Sequence, residues 1–148
     1  MPNSQIADAR RPMVEILINI DVENAHAAER FYCAAFELKP GRRFGDVGVE
    51  LIGGTSKIYL LAKDTGTPGY AGAKATRSYQ RHWTPVHLDF IVTDLEQAIA
   101  RSIAAGATAE QPIRDNPWGR IAVMADPFGH GYCLIQFSDA GYDAIASE

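Results

Sequence analysis

The chain has 148 residues, of which 47% are hydrophobic and 22% are charged, and its formal net charge at pH 7 is −4. These proportions indicate a globular protein with a sizeable core and exclude disordered and collagen-like classes. The net negative charge argues against nucleic acid as a partner, because binding to phosphates requires a positive surface. Every apolar stretch falls short of the roughly 20 residues that a bilayer requires, so we expect no membrane partner.

The N-terminus and the cysteines bear on the cellular compartment. Residues 1–12 are polar and lack the apolar segment of a secretory signal. Cys33 and Cys133 are the two cysteines, and they form neither a disulfide framework nor a zinc-site spacing. We therefore expect a cytoplasmic protein with reduced thiols.

The first half of the chain predicts a βαβββ module. Apolar and mixed side chains alternate over residues 14–22, as in a half-buried strand. Asn24 stands at the N-cap of an amphipathic helix predicted over 25–38, which Pro40 and Gly41 end. Short strands are then predicted near 42–44, 47–52 and 57–62.

The second half repeats this order after a connector at 64–83 that is rich in Gly, Pro and Thr. A strand at 86–92 precedes Asp94, which caps a helix over 95–105, and Gly106 ends that helix. Strands are predicted at 108–114, 119–124 and 131–137. A shift of 70 residues places the first strand and helix of one half on those of the other. Such a duplication predicts two similar units that pack against each other.

The alternation in the two first strands also predicts where a ligand would lie. Under the 70-residue shift, Leu17 corresponds to His87 and Asn19 to Asp89. A helix covers one face of each sheet, so these residues belong to the other face. We expect an α+β fold with two tandem βαβββ modules, whose mixed curved sheets form a concave cleft suited to a small ligand.

Several segments resemble the vicinal-oxygen-chelate superfamily, the glyoxalase/bleomycin resistance protein/dioxygenase family. They are 18–24 (INIDVEN) followed by Phe31 and Tyr32, 87–94 (HLDFIVTD), 118–120 (WGR) and 126–134 (DPFGHGYCL). The last is similar to the family's Asp-Pro-x-Gly-Asn turn before the final strand. The resemblance implies a single domain over 13–138, made of module 1 (13–63), the connector (64–83) and module 2 (84–138).

In metal-using members of that family, ligands come from the first and last strands of each module. The resemblance carries those positions onto Leu17, Tyr59, His87 and Cys133. Leu17 has no lone pair, and the phenol of Tyr59 ionises only near pH 10. His87 and Cys133 are fewer than the three protein ligands of an open catalytic site, so we expect no metal and no cofactor. A bulge that brings Glu50 or Asp89 to His87 would alter this count, with His82 or His130 as additional imidazoles.

These features lead us to expect a metal-free protein that binds a small organic molecule against the concave face. The ligand-binding residues would be Leu17, Asn19, Tyr59, His87, Asp89 and Cys133. The alternative is a lyase, isomerase or dioxygenase that uses His87 as general base or metal ligand with Asp89 nearby, the two sharing one face of a strand. A module retained for protein interaction is a third hypothesis.

Further expectations concern assembly, the connector and one histidine. We expect a homodimer, because such modules need a partner sheet to close the cleft. The connector is long enough to form a mobile lid near the cleft. The positive charges of Arg77 and Arg81 within it favour a solvated loop, and the alternative is that they bind an anionic ligand. His130 is interpreted as a turn residue.

Overall fold

The computed structural model describes residues 13–147. The first module has one helix and four strands, in the predicted order. They are β1 (Ile18–Val22), α1 (Ala25–Phe36), β2 (Lys39–Arg43), β3 (Gly48–Ile52) and β4 (Ile58–Ala62).

The second module repeats this order. Its elements are β5 (Leu88–Ile91), α2 (Leu95–Ala105), β6 (Thr108–Ala109), β7 (Arg114–Asn116), β8 (Gly119–Ala125) and β9 (Gly131–Phe137). Strands β1 and β5 begin at Ile18 and Leu88, and helices α1 and α2 begin at Ala25 and Leu95, so the predicted shift of 70 residues is confirmed. A final 3-10 helix, Gly141–Ala144, lies beyond residue 138.

Each module forms a mixed sheet of its own. The first sheet has the order β1-β4-β3-β2, with β1 parallel to β4 and the other pairs antiparallel. The second has the order β5-β9-β8-β6, with β5 parallel to β9 and with β7 also paired to β8. The predicted fold class, α+β with two βαβββ modules and curved mixed sheets, is confirmed.

The predicted helix caps are present in both modules. The side chain of Asn24 accepts a hydrogen bond from the backbone N–H of Ala27 at 2.9 Å, and that of Asp94 accepts one from Gln97 at 3.0 Å. Each satisfies a backbone donor that the first helical turn leaves without a partner. With 12 and 11 residues, neither α1 nor α2 could cross a membrane, and the described residues include no helix that could.

Some predicted boundaries were wrong for local reasons. Helix α1 ends at Phe36 rather than near residue 38, because Glu37 adopts a left-handed conformation with φ of 55°. Pro40 and Gly41 therefore lie inside β2, an edge strand, where proline is tolerated. The predicted strand at 108–114 is two short strands, β6 and β7, and β1 begins at Ile18 rather than at residue 14.

One shared core joins the modules. Alternate residues of the strands, such as Leu60 and Leu134, face the helices and are fully buried. Helix α1 packs on α2. Phe36 at the end of α1 stacks on Phe90 of β5, with ring centroids 3.8 Å apart. The opposite face of each sheet, which neither α1 nor α2 covers, is called here the helix-free face.

Candidate ligand site on the helix-free faces

The six residues predicted to bind a ligand all belong to the helix-free faces. Because strand side chains alternate, Leu17, Asn19 and Tyr59 point away from the core-facing residues Ile18 and Ile58. In the second module, His87, Asp89 and Cys133 have the same parity, opposite to core-facing Leu134.

The strand register places these polar residues in two equivalent rows. In the first sheet Asn19 pairs with Tyr59, and Tyr59 pairs with Glu50. In the second sheet Asp89 pairs with Cys133, and Cys133 pairs with Val123. The structure therefore brings the predicted residues together within each module.

In the first module, the carboxylate of Glu50 is hydrogen-bonded to other residues of the same module. The sequence alone did not determine whether this group would be available in the cleft. Glu50 is buried and accepts hydrogen bonds from Arg42 Nη2 at 2.7 Å, from the Arg42 backbone N–H at 3.1 Å and from the Tyr59 hydroxyl at 2.7 Å. These bonds, led by those from Arg42 and then Tyr59, hold the pKa of Glu50 at about 2. A β-bulge in β2 lets the backbone and side chain of Arg42 turn to Glu50.

The bulge also depends on Gly41. A Cβ at this position would lie 2.5 Å from Glu50 Oε1, so a larger residue would require the Glu50 carboxylate to move. Arg42 was not among the predicted site residues. The sequence did not indicate that Arg42 would contact Glu50, because a bulge shifts the pairing of the two strands by one residue.

In the second module, three donors form a compact cluster. His87 Nε2 lies 3.2 Å from Asp89 Oδ1, and one donor atom from each of His87, Asp89 and Cys133 lies within 4.8 Å of the others. The count of two donors in this region was therefore too low, because Asp89 joins His87 and Cys133. Burial, and then the charge and hydrogen bonding of Asp89, raise the pKa of Cys133 to about 11. Within residues 13–147, neither His82 nor His130 belongs to such a cluster.

His130 does not act merely as a turn residue. Its Nδ1 lies 2.8 Å from Asp126 Oδ2, and its Nε2 lies 2.9 Å from the backbone carbonyl oxygen of Asp21 in β1. Both partners are acceptors, so both ring nitrogens must donate, which requires the imidazolium form. The Tyr32 hydroxyl donates to the same Asp126 oxygen at 2.6 Å. This buried network links the β8–β9 turn of module 2 to β1 and α1 of module 1.

The pKa values of this network agree with its geometry. Burial acts against the imidazolium, but the hydrogen bond and charge of Asp126 and the Asp21 carbonyl outweigh it, so the pKa of His130 is raised. Burial likewise acts against the Asp126 carboxylate, and His130 and Tyr32 outweigh it, so the pKa of Asp126 is lowered. The pair is therefore ionised in the folded protein near neutral pH.

The connector is anchored to both modules. Arg77 Nε donates to Asp21 at 2.8 Å, and the Tyr79 hydroxyl donates to the Lys63 carbonyl at 2.7 Å. Arg81 binds Glu110 through two nitrogens, at 2.9 and 3.0 Å. Both arginines of the anionic-ligand alternative are thus paired with carboxylates, and these anchors oppose the expected mobility of the connector.

Comparison with known proteins places the chain among glyoxalase-like proteins. A family model described as a glyoxalase-like domain matches residues 17–135. The chain belongs to this family. An uncharacterized protein of Mycobacterium tuberculosis is 34% identical over 119 residues, which cover 78% of this chain and 69% of that protein.

Two more distant proteins are also similar to this glyoxalase-like chain. The anthracycline biosynthesis protein DnrV of Streptomyces peucetius is 28% identical over 129 residues, which cover 87% of this chain but only 43% of DnrV. The crystal structure of the fosfomycin resistance protein FosX of Listeria monocytogenes superposes with a TM-score of 0.66 at 16% identity, covering 87% of this chain and 97% of FosX. A mutant of FosX was solved with manganese(II). The FosX likeness supports the fold alone.

We predict that replacing His130 with Gln destabilises the protein in a pH-dependent way. The folded pKa is raised, so the contribution of His130 is complete below its unfolded pKa of about 6.5 and is lost as pH rises through the folded pKa. Chemical denaturation should show a loss of about 3 kcal/mol at pH 6 that shrinks toward pH 9.

The matched control is His82→Gln in the exposed connector. It should change the free energy of unfolding by less than about 0.5 kcal/mol at either pH. A destabilisation by His130→Gln that is equal at pH 6 and pH 9 would mean that His130 is neutral in the folded protein.

Proposed function

We propose that the protein binds a small organic molecule against its helix-free faces, without a metal. The observation that carries this proposal is the pair of polar rows, one containing Asn19 and Tyr59 and the other Asp89 and Cys133, on faces that no helix covers. Pockets for organic ligands combine apolar walls with a few fixed polar groups. Membership in the glyoxalase-like family supports the same class of function.

The polar groups on these faces favour hydrogen bonding over net charge in recognition. Glu50 is paired with Arg42, and Asp89 lies beside His87, so the polar groups of each row have partners within the row. The expected anionic ligand depended on Arg77 and Arg81, and both are paired as well. We therefore propose a ligand with hydroxyl, carbonyl or amino groups on an apolar frame, and its charge is not part of the proposal.

A metal-free site is supported by how the donors are used. Leu17 offers no donor, and the Tyr59 hydroxyl is bonded to Glu50. Glu50 is occupied by Arg42. The thiol of Cys133 is protonated near neutral pH, since its pKa is raised to about 11. Thiolate, not thiol, is the form that binds metals.

We propose that a second copy of the chain closes the cleft. Leu17 and Ile91, on the helix-free faces, are 48% and 56% exposed. Exposed apolar side chains around polar groups mark interaction surfaces.

Within one chain, the shared core between Phe36 and Phe90 supports the further proposal that residues 13–138 are a single domain. The free thiols of Cys33 and Cys133 suit a reducing compartment, and we propose the cytoplasm.

We predict that the protein binds an anthracycline, the class of compound in the name of its relative DnrV, with a micromolar Kd. Tyr59→Ala should weaken binding about tenfold, a loss of about 1.4 kcal/mol, because the ring and its hydroxyl lie in the first polar row. The intrinsic fluorescence of the anthracycline measures the titration. Tyr142→Ala, which removes an exposed tyrosine outside both rows, is the control and should bind as the parent does. If Tyr59→Ala and Asp89→Ala both bind unchanged, the ligand does not lie on the helix-free faces.

We predict that Ile91→Asp weakens the homodimer at least tenfold, because it would bury a charge in the proposed interface. Sedimentation at tens of micromolar protein measures the dimer, a concentration that populates any micromolar complex. Ile103→Asp introduces the same charge at an exposed position of α2 and should leave the dimer intact. A parent chain that sediments only as a monomer would exclude the proposed closure.

The second candidate is an enzyme, a lyase, isomerase or dioxygenase, and the cluster of His87, Asp89 and Cys133 favours it. The Asp89 carboxylate, 3.2 Å from His87 Nε2, could orient the imidazole as a general base. The same three donors match the number of protein ligands in an open metal site.

Elemental analysis decides between the metal-free site and the metalloenzyme. We predict that protein grown with added iron, zinc and manganese contains less than about 0.1 ion per chain, because Leu17 offers no donor and Glu50 and Tyr59 are bonded within their own row. His87→Ala should contain equally little. Near-stoichiometric metal that disappears in His87→Ala would make the metalloenzyme the leading function.

A further inference from the structure

A cavity of about 770 Å³ lies between the two modules and the connector. Its walls come from β1, α1, β5, the connector and the β8–β9 turn. It includes core-facing residues such as Ile20 and Phe90, and it reaches the helix-free faces only at Asn19, Asp21 and His87. The cavity is therefore distinct from the rows at Tyr59 and Cys133, neither of which lines it.

The cavity has aromatic walls. The rings come from α1, the connector, β5 and the β8–β9 turn, and they are Tyr32, Tyr79, Phe90, Phe128 and Tyr132. Aromatic side chains present large apolar surfaces and favour stacked or edge-to-face contact with other rings. Its volume falls within the range of about 300–1,000 Å³ that is typical of ligand pockets.

The outer wall of this cavity is fixed in place. Arg77 and Tyr79 attach the connector to module 1, and Arg81 attaches it to module 2. Gly129, with φ of 96°, lies so close to the connector that a Cβ there would be 2.1 Å from the Tyr79 carbonyl oxygen. A fixed wall keeps the cavity open to a ligand without the cost of ordering a loop.

The charged groups that line the cavity are compensated by one another or by neighbours. Arg77 is paired with Asp21, Arg81 with Glu110, and the His130 imidazolium with Asp126. The hydroxyl and amide groups of Ser78, Gln80 and Thr84 provide neutral hydrogen-bonding groups along the wall. A charged ligand would lose its hydration here without gaining a counter-ion.

We propose that this inter-module cavity is a second binding site, which takes an uncharged, planar aromatic molecule. The inference goes beyond the proposed function, because this site lies between the modules and shares only Asn19 and His87 with the residues proposed for the helix-free faces. Ring contacts with Tyr79 and Phe128 supply the affinity, and Ser78 and Gln80 bind a polar substituent at the rim.

The test uses N-phenyl-1-naphthylamine, a neutral aromatic probe whose emission rises in apolar surroundings. The parent chain should bind it with a Kd in the micromolar range. Ile20→Trp and Ser78→Trp fill the cavity from opposite walls, and each should weaken binding at least tenfold. Circular dichroism and thermal melting identify which of the two variants is folded. Ser147→Trp places the same side chain at an exposed site near the C-terminus and should bind as the parent does.

A charged analogue tests the ligand class. Anilinonaphthalene sulfonate has a similar ring system with a negative charge, and it should bind at least tenfold more weakly than the neutral probe. Equal binding of the two probes would overturn the uncharged class. A parent chain that binds no neutral probe at 100 µM (a concentration well above a micromolar Kd), or a folded Ile20→Trp or Ser78→Trp that binds it fully, would overturn the site.

The proposals for the two sites can be tested independently. Tyr59→Ala should reduce anthracycline binding and leave the neutral probe unaffected, while Ser78→Trp should do the reverse. If Tyr59→Ala abolishes both, the neutral probe occupies the helix-free face, so this inference fails and the proposed function stands. If the anthracycline does not bind but binding of the neutral probe depends on Ser78, the inter-module site stands and the proposed function fails.

Discussion

Helices α1 and α2 can cover only one face of each sheet, and the rest of the structure depends on this constraint. Helices α1 and α2 cover the core-facing sides and pack on each other, and Phe36 stacks on Phe90 across the module boundary. Because strand side chains alternate, burying residues such as Leu60 commits their neighbours to the other side. The polar rows follow from this arrangement.

Internal pairing of charges is the second property that links the parts. Glu50 is satisfied by Arg42, and Asp126 by His130 and Tyr32. Buried carboxylates are costly unless they are hydrogen-bonded, so each one comes with a fixed partner. The result is a molecule in which these buried carboxylates are held by hydrogen bonds from fixed partners.

Local patterns in the sequence were sufficient to predict the repeat, both helix caps and the side of each sheet that a strand residue faces. Period-two alternation located Asn19 and Asp89 correctly, since it depends only on neighbouring residues. The His130 bridge could not be predicted, because it joins residues 109 positions apart in the chain. Asp89 was left out of the donor count because its approach to His87 depends on rotamers. The pairing of the connector arginines could not be predicted, because their carboxylate partners lie in other elements.

The tight fit between Gly129 and the connector also limits how the family can diverge. A side chain at this position would meet the Tyr79 backbone and would require an unfavourable positive φ, so the connector would have to take another path. Within related sequences, a glycine here should accompany a connector of this route, and its loss should accompany a shorter or rerouted one. A glycine at the position of Gly129 thus distinguishes relatives that retain the inter-module cavity from relatives that retain only the two sheets.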